Sequence, residues 1–191
     1  MNKKENVVRR LEIPLKTDII SSLQAGDMVL ISGEVYTARD VAHRRLYEEL
    51  LKGEKLPIDL KAAVIFYAAP APTPPGKIIG SIGPTTSYRM DFFTPKLIEN
   101  GLKGMIGKGS RSAEIVAALK KYGAVYFGAI GGIAALTARC VKKVELVAYE
   151  DIGPEAIRKL TVVDFPAVVI NDAHGNDLYL SAQNKWRIQS I

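Results

Sequence analysis

Two unbroken apolar runs, Ala63-Val64-Ile65-Phe66-Tyr67-Ala68-Ala69 and Ala124-Val125-Tyr126-Phe127-Gly128-Ala129-Ile130, constrain this fold most. A continuous run of this kind reads as a strand buried on both faces, so it needs cover on two sides. Helical patterns flank both. Thr37 is the expected N-cap of a first long helix, with Asp40 three positions on. That helix runs to about Lys52 and stops at Gly53, with Ala42, Leu46 and Leu50 on one face. Thr94-Pro95 opens a short helix ending at Gly101. Ser112 caps a helix over 113–122, which places Ile115, Leu119 and Tyr122 together and ends at Gly123. After residue 60 the order strand–loop–helix repeats, with Gly104–Gly107 as a further short strand. This is the pattern of parallel strand pairs under helical cover, and one layered α/β domain satisfies it.

The N-terminal third carries more strand than helix. Residues 7–14 read as a strand closed by Pro14, and 28–36 as a strand pair or one bulged strand with Gly33 as the irregularity. Residues 15–23 are a turn or short helix. The four prolines between Pro70 and Gly76 make a stiff connection rather than a linker, because strand-like sequence resumes at once. Towards the end, Gly131-Gly132 opens an Ala-rich helix to about Cys140, and 144–149 is a strand. Residues 154–159 read as one or two helical turns. Residues 160–170 and 177–180 read as strands around the polar turn 171–176.

Composition narrows the function classes. The chain has 191 residues, 48% hydrophobic and 24% charged, which is ordinary for a globular protein. The net charge of +6 favours anionic partners, but the basic residues are scattered, which argues against nucleic acid. Cys140 is the only cysteine, so the chain by itself holds neither a disulfide nor an iron–sulfur cluster. Met1–Asn6 leads into mixed charge without an apolar run, so no signal peptide is expected. The uncharged stretch 122–138 approaches membrane length, but Gly128, Gly131 and Gly132 break it into strand, turn and helix start. A soluble, cytoplasmic protein is the expectation.

Between the first apolar run and the next helix lies Gly80-Ser81-Ile82-Gly83-Pro84-Thr85-Thr86-Ser87-Tyr88-Arg89-Met90-Asp91. Its glycines allow close backbone approach, its hydroxyls donate and accept, and its arginine offers a fork that fits a carboxylate. A capped Gly-Pro turn explains the same residues taken alone. Charge placement adds to the first reading. Helix N-termini prefer acidic residues, yet Arg39, Arg89 and Lys108 each follow a strand and precede a helix. In parallel sheets such junctions gather at one edge, where ligands bind. Taken singly, each is a solvated surface cation. Together they suit a small molecule with more than one negative charge, and spacing leaves dicarboxylate and phosphate both open. His43 lies one turn past Arg39, which turns it toward the same pocket, although a lone helical histidine is more often structural or exposed; Asp91, Glu34 and Asp40 are acids suited to orienting an arginine.

The motif Gly-Pro-Thr-Thr-Ser-Tyr-Arg-Met-Asp at 83–91 resembles the signature of class I, iron–sulfur fumarate hydratases and the related L(+)-tartrate dehydratases. The match covers the β subunit, equivalent to the C-terminal domain of single-chain enzymes, over about 26–179. It includes residues 32–43 with Arg39 and His43, then Lys108-Gly109-Ser110-Arg111-Ser112, Gly131-Gly132-Ile133-Ala134-Ala135, Asp164-Phe165-Pro166-Ala167 and Gly175-Asn176-Asp177.

The resemblance implies a single swivelling β/β/α domain with a mostly parallel or mixed sheet and covering helices. It implies a hydro-lyase with an α subunit that holds a [4Fe–4S] cluster, assembled as a homo-oligomer or heterotetramer, with no metal ligand in this chain. One iron of that cluster would bind the hydroxyl and a carboxylate of malate as a Lewis acid. By motif position Arg39, Arg89 and Lys108 hold substrate carboxylates and Thr85 transfers a proton. Thr86, His43 and Asp91 stand behind them. A threonine hydroxyl is a poor base by itself and needs a partner, such as an aspartate of the α subunit. Tyr88 stands where many members have glycine, and Gly109-Ser110 where many have Gly-Asn. Reversible hydration of fumarate is the leading expectation. Tartrate dehydration, a non-catalytic anion-binding module and a purely structural subunit are the alternatives.

Overall fold

A computed structural model describes residues 8–187. Residues 1–7 and 188–191, and with them the reading of Met1–Asn6 and the first residue of the strand expected over 7–14, lie outside it. Strands β1 (Arg9–Glu12), β2 (Met28–Thr37), β3 (Val64–Phe66), β4 (Gly104–Gly107), β5 (Val125–Gly128), β6 (Val141–Ala148) and β7 (Ile157–Asn171) form one sheet in the order β1-β2-β3-β4-β5-β7-β6. Helices α1 (Thr17–Ser22), α2 (Asp40–Lys52), α3 (Thr94–Glu99), α4 (Ala113–Tyr122), α5 (Ala134–Cys140) and α6 (Leu178–Trp186) surround it.

Strands β1 to β5 pair in parallel, and β7 runs antiparallel to β2, β5 and β6. Because β7 pairs with β2 on one edge and β5 on the other, the ladder partly closes on itself through β2-β3-β4-β5-β7. Alternation along the short buried strands then divides the core in two. Val64, Phe66, Ile106, Val125 and Phe127 meet Val29, Ile31, Leu160, Val162 and Phe165 between the two halves of the sheet. Ile65, Tyr67, Met105 and Tyr126 point the other way, onto Ala42, Leu46, Leu97, Ile98, Ile115 and Leu119 of the helices. The result is β, β and α layers, as the fold reading anticipates, with a mixed sheet.

Individual elements depart from the sequence reading in instructive ways. Thr37 is not a cap. It ends β2, and its buried hydroxyl accepts the Arg158 N–H at 3.0 Å. Helix α2 starts at Asp40 instead, and Glu155 accepts the Val41 N–H at 2.9 Å, serving as a cap from a remote segment. The helical turn expected at 154–159 lies earlier, as a 3₁₀ turn over Glu150–Glu155. Arg158 to Thr161 are strand because they pair with β2 and β6 at once. Residues 177–180 are helix rather than strand, since the Asp177 carboxylate accepts the N–H groups of Tyr179 and Leu180 and nucleates α6. Residues 28–37 are one strand, with a register shift at Gly33, where φ is +120°. Any side chain there would collide with Ile13.

The uncharged stretch 122–138 divides into β5, a loop and α5, and among the described residues no helix is long and apolar enough to cross a membrane. Gly80, which leads into the 80–91 motif, packs its Cα against the Pro-rich connection. A Cβ there would stand 2.1 Å from the Ala71 carbonyl oxygen and 2.6 Å from that of Pro72. Two backbones cannot yield as a side-chain tip can, so Gly80→Ala is expected to lower stability by about 1–3 kcal/mol, read as a lower urea midpoint.

Candidate functional site

Parallel pairing brings the C-terminal ends of β2, β3 and β4 to one edge. Arg39 follows β2, Tyr67 follows β3 and Lys108 follows β4. The 80–91 segment returns across this edge and is bonded into it. The Thr85 N–H donates to the Tyr67 carbonyl at 2.7 Å, the Lys108 N–H to the Thr85 carbonyl at 3.3 Å, and the Ser87 N–H to the Lys108 carbonyl at 2.9 Å. Thr86 is thereby in parallel register with Lys108. A 3₁₀ turn over Ser87–Met90 then carries Arg89 back over Thr85, and its guanidinium donates to the Thr85 hydroxyl at 2.5 Å.

Arg39 arrives at the same place from α2. The Asp40 carboxylate oxygen Oδ2 is shared, 3.1 Å from Arg39 Nε and 3.1 Å from Arg89 Nη2. Glu155 Oε1 lies 3.3 Å from Arg39 Nε. Each carboxylate holds a guanidinium in place while leaving its other N–H groups free for an incoming anion. Lys108 is exposed, in no ion pair among the described residues, and its side chain runs beside Gly131. Two arginines joined through Asp40 and one hydroxyl bonded to Arg89, with exposed Lys108 on the adjoining strand end, are groups suited to a small anion. Arginine donation to that hydroxyl favours its loss of a proton. A cleft of about 480 Å³ lies elsewhere, between the segment around Lys77–Ser81 and α5, and includes none of these residues.

The residues placed behind the site by sequence have different neighbours. His43 is fully buried rather than open to a pocket, edge-on to the Tyr67 ring at 5.0 Å. Neither ring nitrogen has a hydrogen-bond partner among the described residues. Burial, reinforced by the charge of Arg111, pushes its pKa down from 6.5 to about 3. Asp91 orients Arg111, not Arg89: its carboxylate accepts from Arg111 Nε at 2.7 Å and from the Ser112 N–H at 2.7 Å. Thr86 takes part through its backbone register. Glu34 is drawn away to Lys159 at 3.2 Å. Tyr88 is 64% exposed.

Sequence reasoning gave no role to Arg111, Tyr67, Tyr126 or Glu155. The Arg111 side chain has no exposed surface. It donates to the Tyr67 hydroxyl at 3.3 Å and the Thr94 hydroxyl at 3.2 Å, and lies over the rings of Tyr67 and Tyr126. Burial acts against its charge, but Tyr67 and Asp91 outweigh that and its pKa is raised. The one available signal was its position, three residues past Lys108 at the start of a capped helix.

Comparison with known proteins adds an independent line. A protein-family model described as Fumarase C-terminus matches residues 1–182. "Fumarate hydratase class I, aerobic" of Salmonella typhimurium is 41% identical over 167 residues, which are 86% of this chain and 29% of that protein. "Fumarate hydratase 2" of Leishmania major is 41% identical over 84% of this chain and 28% of its own length. The chain thus spans less than a third of these relatives. "Putative L(+)-tartrate dehydratase subunit beta" of Methanocaldococcus jannaschii is 39% identical over 172 residues, covering 87% of this chain and 88% of that one.

The neutral His43 has a consequence for stability. Its folded pKa lies below its unfolded value, so the unfolded chain takes up the proton first as pH falls. The contribution is complete above about pH 6.5 and is lost towards pH 3, with a limiting slope of about 1.4 kcal/mol per pH unit. Urea unfolding of wild type and His43→Leu between pH 7 and 4 is expected to show the variant gaining on wild type as pH falls.

Proposed function

Because the chain belongs to the Fumarase C-terminus family, we propose that it supplies the dicarboxylate-binding and proton-transfer half of a hydro-lyase that reversibly adds water to fumarate to give L-malate. The observation that carries this reading is the contact of Arg89 with the Thr85 hydroxyl at 2.5 Å, made while Arg89 shares Asp40 with Arg39. It puts a proton-carrying oxygen beside the groups that would hold a carboxylate.

Arg39, Arg89 and Lys108 oppose two carboxylates, Asp40 and Glu155, which leaves an excess of positive charge for a dianion. In this reading the arginines and Lys108 grip the substrate carboxylates and fix the carbon chain over Thr85. Thr85 then passes a proton to or from the carbon next to the one that bears hydroxyl. Its hydroxyl is made more acidic by Arg89, and a carboxylate from the partner would complete the relay.

The partner is an α subunit, and it carries the [4Fe–4S] cluster. Two features support this. The long class I relatives contain much sequence beyond the region matched, and the relative of similar length is named a β subunit. Within this chain the residues do not fit a cluster. Cys140 is the only cysteine, and no group of three or more His, Cys, Asp or Glu among the described residues could hold a metal. Open exposure of Lys108 and Arg89 at a sheet edge also suits a site completed from outside.

Dehydration of L(+)-tartrate is the second reading, favoured by a relative of similar length that is named for it, 88% of which is covered by the match. Anaerobic co-expression with the α partner, followed by assays with malate, fumarate and tartrate, separates the two, and no turnover of any of the three overturns both. In the active complex, Thr85→Ala is expected to lower kcat by about 10²–10⁴-fold with KM little changed. Arg39→Ala and Arg89→Ala are expected to raise KM as well, and Arg89→Lys not to restore it, because an ammonium lacks the planar fork.

A further inference from the structure

Two of the segments that carry the proposed site, 83–90 and 107–111, lie side by side through Thr86 and Lys108. Between them stands a chain of two hydroxyls. Tyr126 OH lies 2.9 Å from Ser87 Oγ and 2.9 Å from the Gly109 carbonyl oxygen. A carbonyl only accepts, so the single Tyr126 proton goes to Gly109 and Ser87 must donate to Tyr126. The direction of both bonds is therefore fixed. Burial holds the Tyr126 phenol well above its ordinary pKa, which keeps that proton in place.

Packing does not hold the loop that these bonds reach. Gly109 has φ +84°, and a Cβ there would meet only Thr86 Cγ2, at 3.9 Å. Lys108 is exposed, and two backbone bonds tie it to the neighbouring segment, its amide to the Thr85 carbonyl at 3.3 Å and its carbonyl to the Ser87 amide at 2.9 Å. The Tyr126 ring, by contrast, is fully buried and rests against Arg111. Gly107 is part of the same device, because a Cβ at that position would stand 2.0 Å from Ser87 Oγ and close the gap that the serine occupies.

We propose that Tyr126 is a positioning residue: its hydroxyl, taking a hydrogen bond from Ser87 and giving one to Gly109, holds the Lys108-Gly109 backbone against the segment that carries Thr85 and Arg89. The inference rests on the hydro-lyase reading for the identity of the ligand, but not for the existence of the clasp. Removing the phenol oxygen leaves the Ser87 hydroxyl and the Gly109 carbonyl without their partner, and the lysine loop relaxes away from the threonine. A misplacement of about 1 Å is enough to cost on the order of 10²-fold in a positioned reaction.

Tyr126→Phe, Ser87→Ala and the double variant, each assembled with the α partner, test this. The expected result is a loss of about 10–100-fold in kcat/KM for the dicarboxylate in each single variant, and no further loss in the double. Hydrogen exchange on the chain itself gives a readout separate from activity. Peptides covering 85–88 and 107–110 are expected to lose protection in Tyr126→Phe, while those covering β3 and β7 keep it. Unchanged kinetics with unchanged exchange overturns the proposal, as does loss of protection spread evenly over the fold. If Tyr126→Phe fails to fold, Ser87→Ala decides by the same two measurements. An inactive wild-type complex would refute the hydro-lyase reading, and the exchange result would still decide whether the clasp exists.

Discussion

Arg111 carries a full charge with none of its side chain exposed, and Asp91, at 2.7 Å, makes that tolerable. A charge taken out of water costs several kcal/mol unless it is paired and its hydrogen bonds are filled. Here Tyr67, Thr94 and the faces of two tyrosine rings complete the set. The pair is also a junction. Asp91 closes the turn that bears Arg89, and its second oxygen holds the first residue before α4. Tyr67, on the other side, gives its carbonyl to Thr85. The surface cluster of Arg39, Thr85 and Arg89 thus stands on a buried polar floor whose members depend on one another.

That floor explains why the site is built at strand ends. Strands β3, β4 and β5 are buried on both faces and too short to reach solvent along their length. Their C-terminal edge is where side chains with chemistry can emerge, and parallel pairing puts Arg39, Tyr67 and Lys108 there together. Gly107 leaves room for the Ser87 side chain where the 80–91 segment crosses that edge, and Gly80 lets the same segment lie on the backbone of Ala71 and Pro72.

Much of this was legible in the residues. The apolar runs gave β3 and β5 because continuous hydrophobicity needs two-sided cover. Ser112 and Gly123 bounded α4 because caps act locally. Arg39 and Lys108 follow β2 and β4, and parallel topology brings those ends together, whereas Arg89 does not follow a strand as expected but lies in a 3₁₀ turn at the end of the long return from β3. What escaped notice depends on contacts distant in sequence. Glu155 caps α2 at Val41, 114 positions away, and no local pattern carries that. Arg158 and Lys159 have no strong strand signal and become strand by pairing on both sides. His43 reads as an open-pocket candidate from helical phase alone, whereas Tyr67 and the buried layer decide its surroundings. The Asp177 cap is different, since an aspartate before an apolar run is a local signal and the strand reading passed over it.

The shared Asp40 carboxylate gives the cluster a property beyond orientation. With no ligand bound, one acidic oxygen already lies between the two guanidinium groups. The arginines are therefore never bare, and their resting geometry is that of a pair gripping a carboxylate. An arriving anion does not fill an empty positive hole but exchanges with, or adds beside, an internal look-alike. In the proposed reading, the protein's own aspartate raises the charge a ligand must bring before it is held.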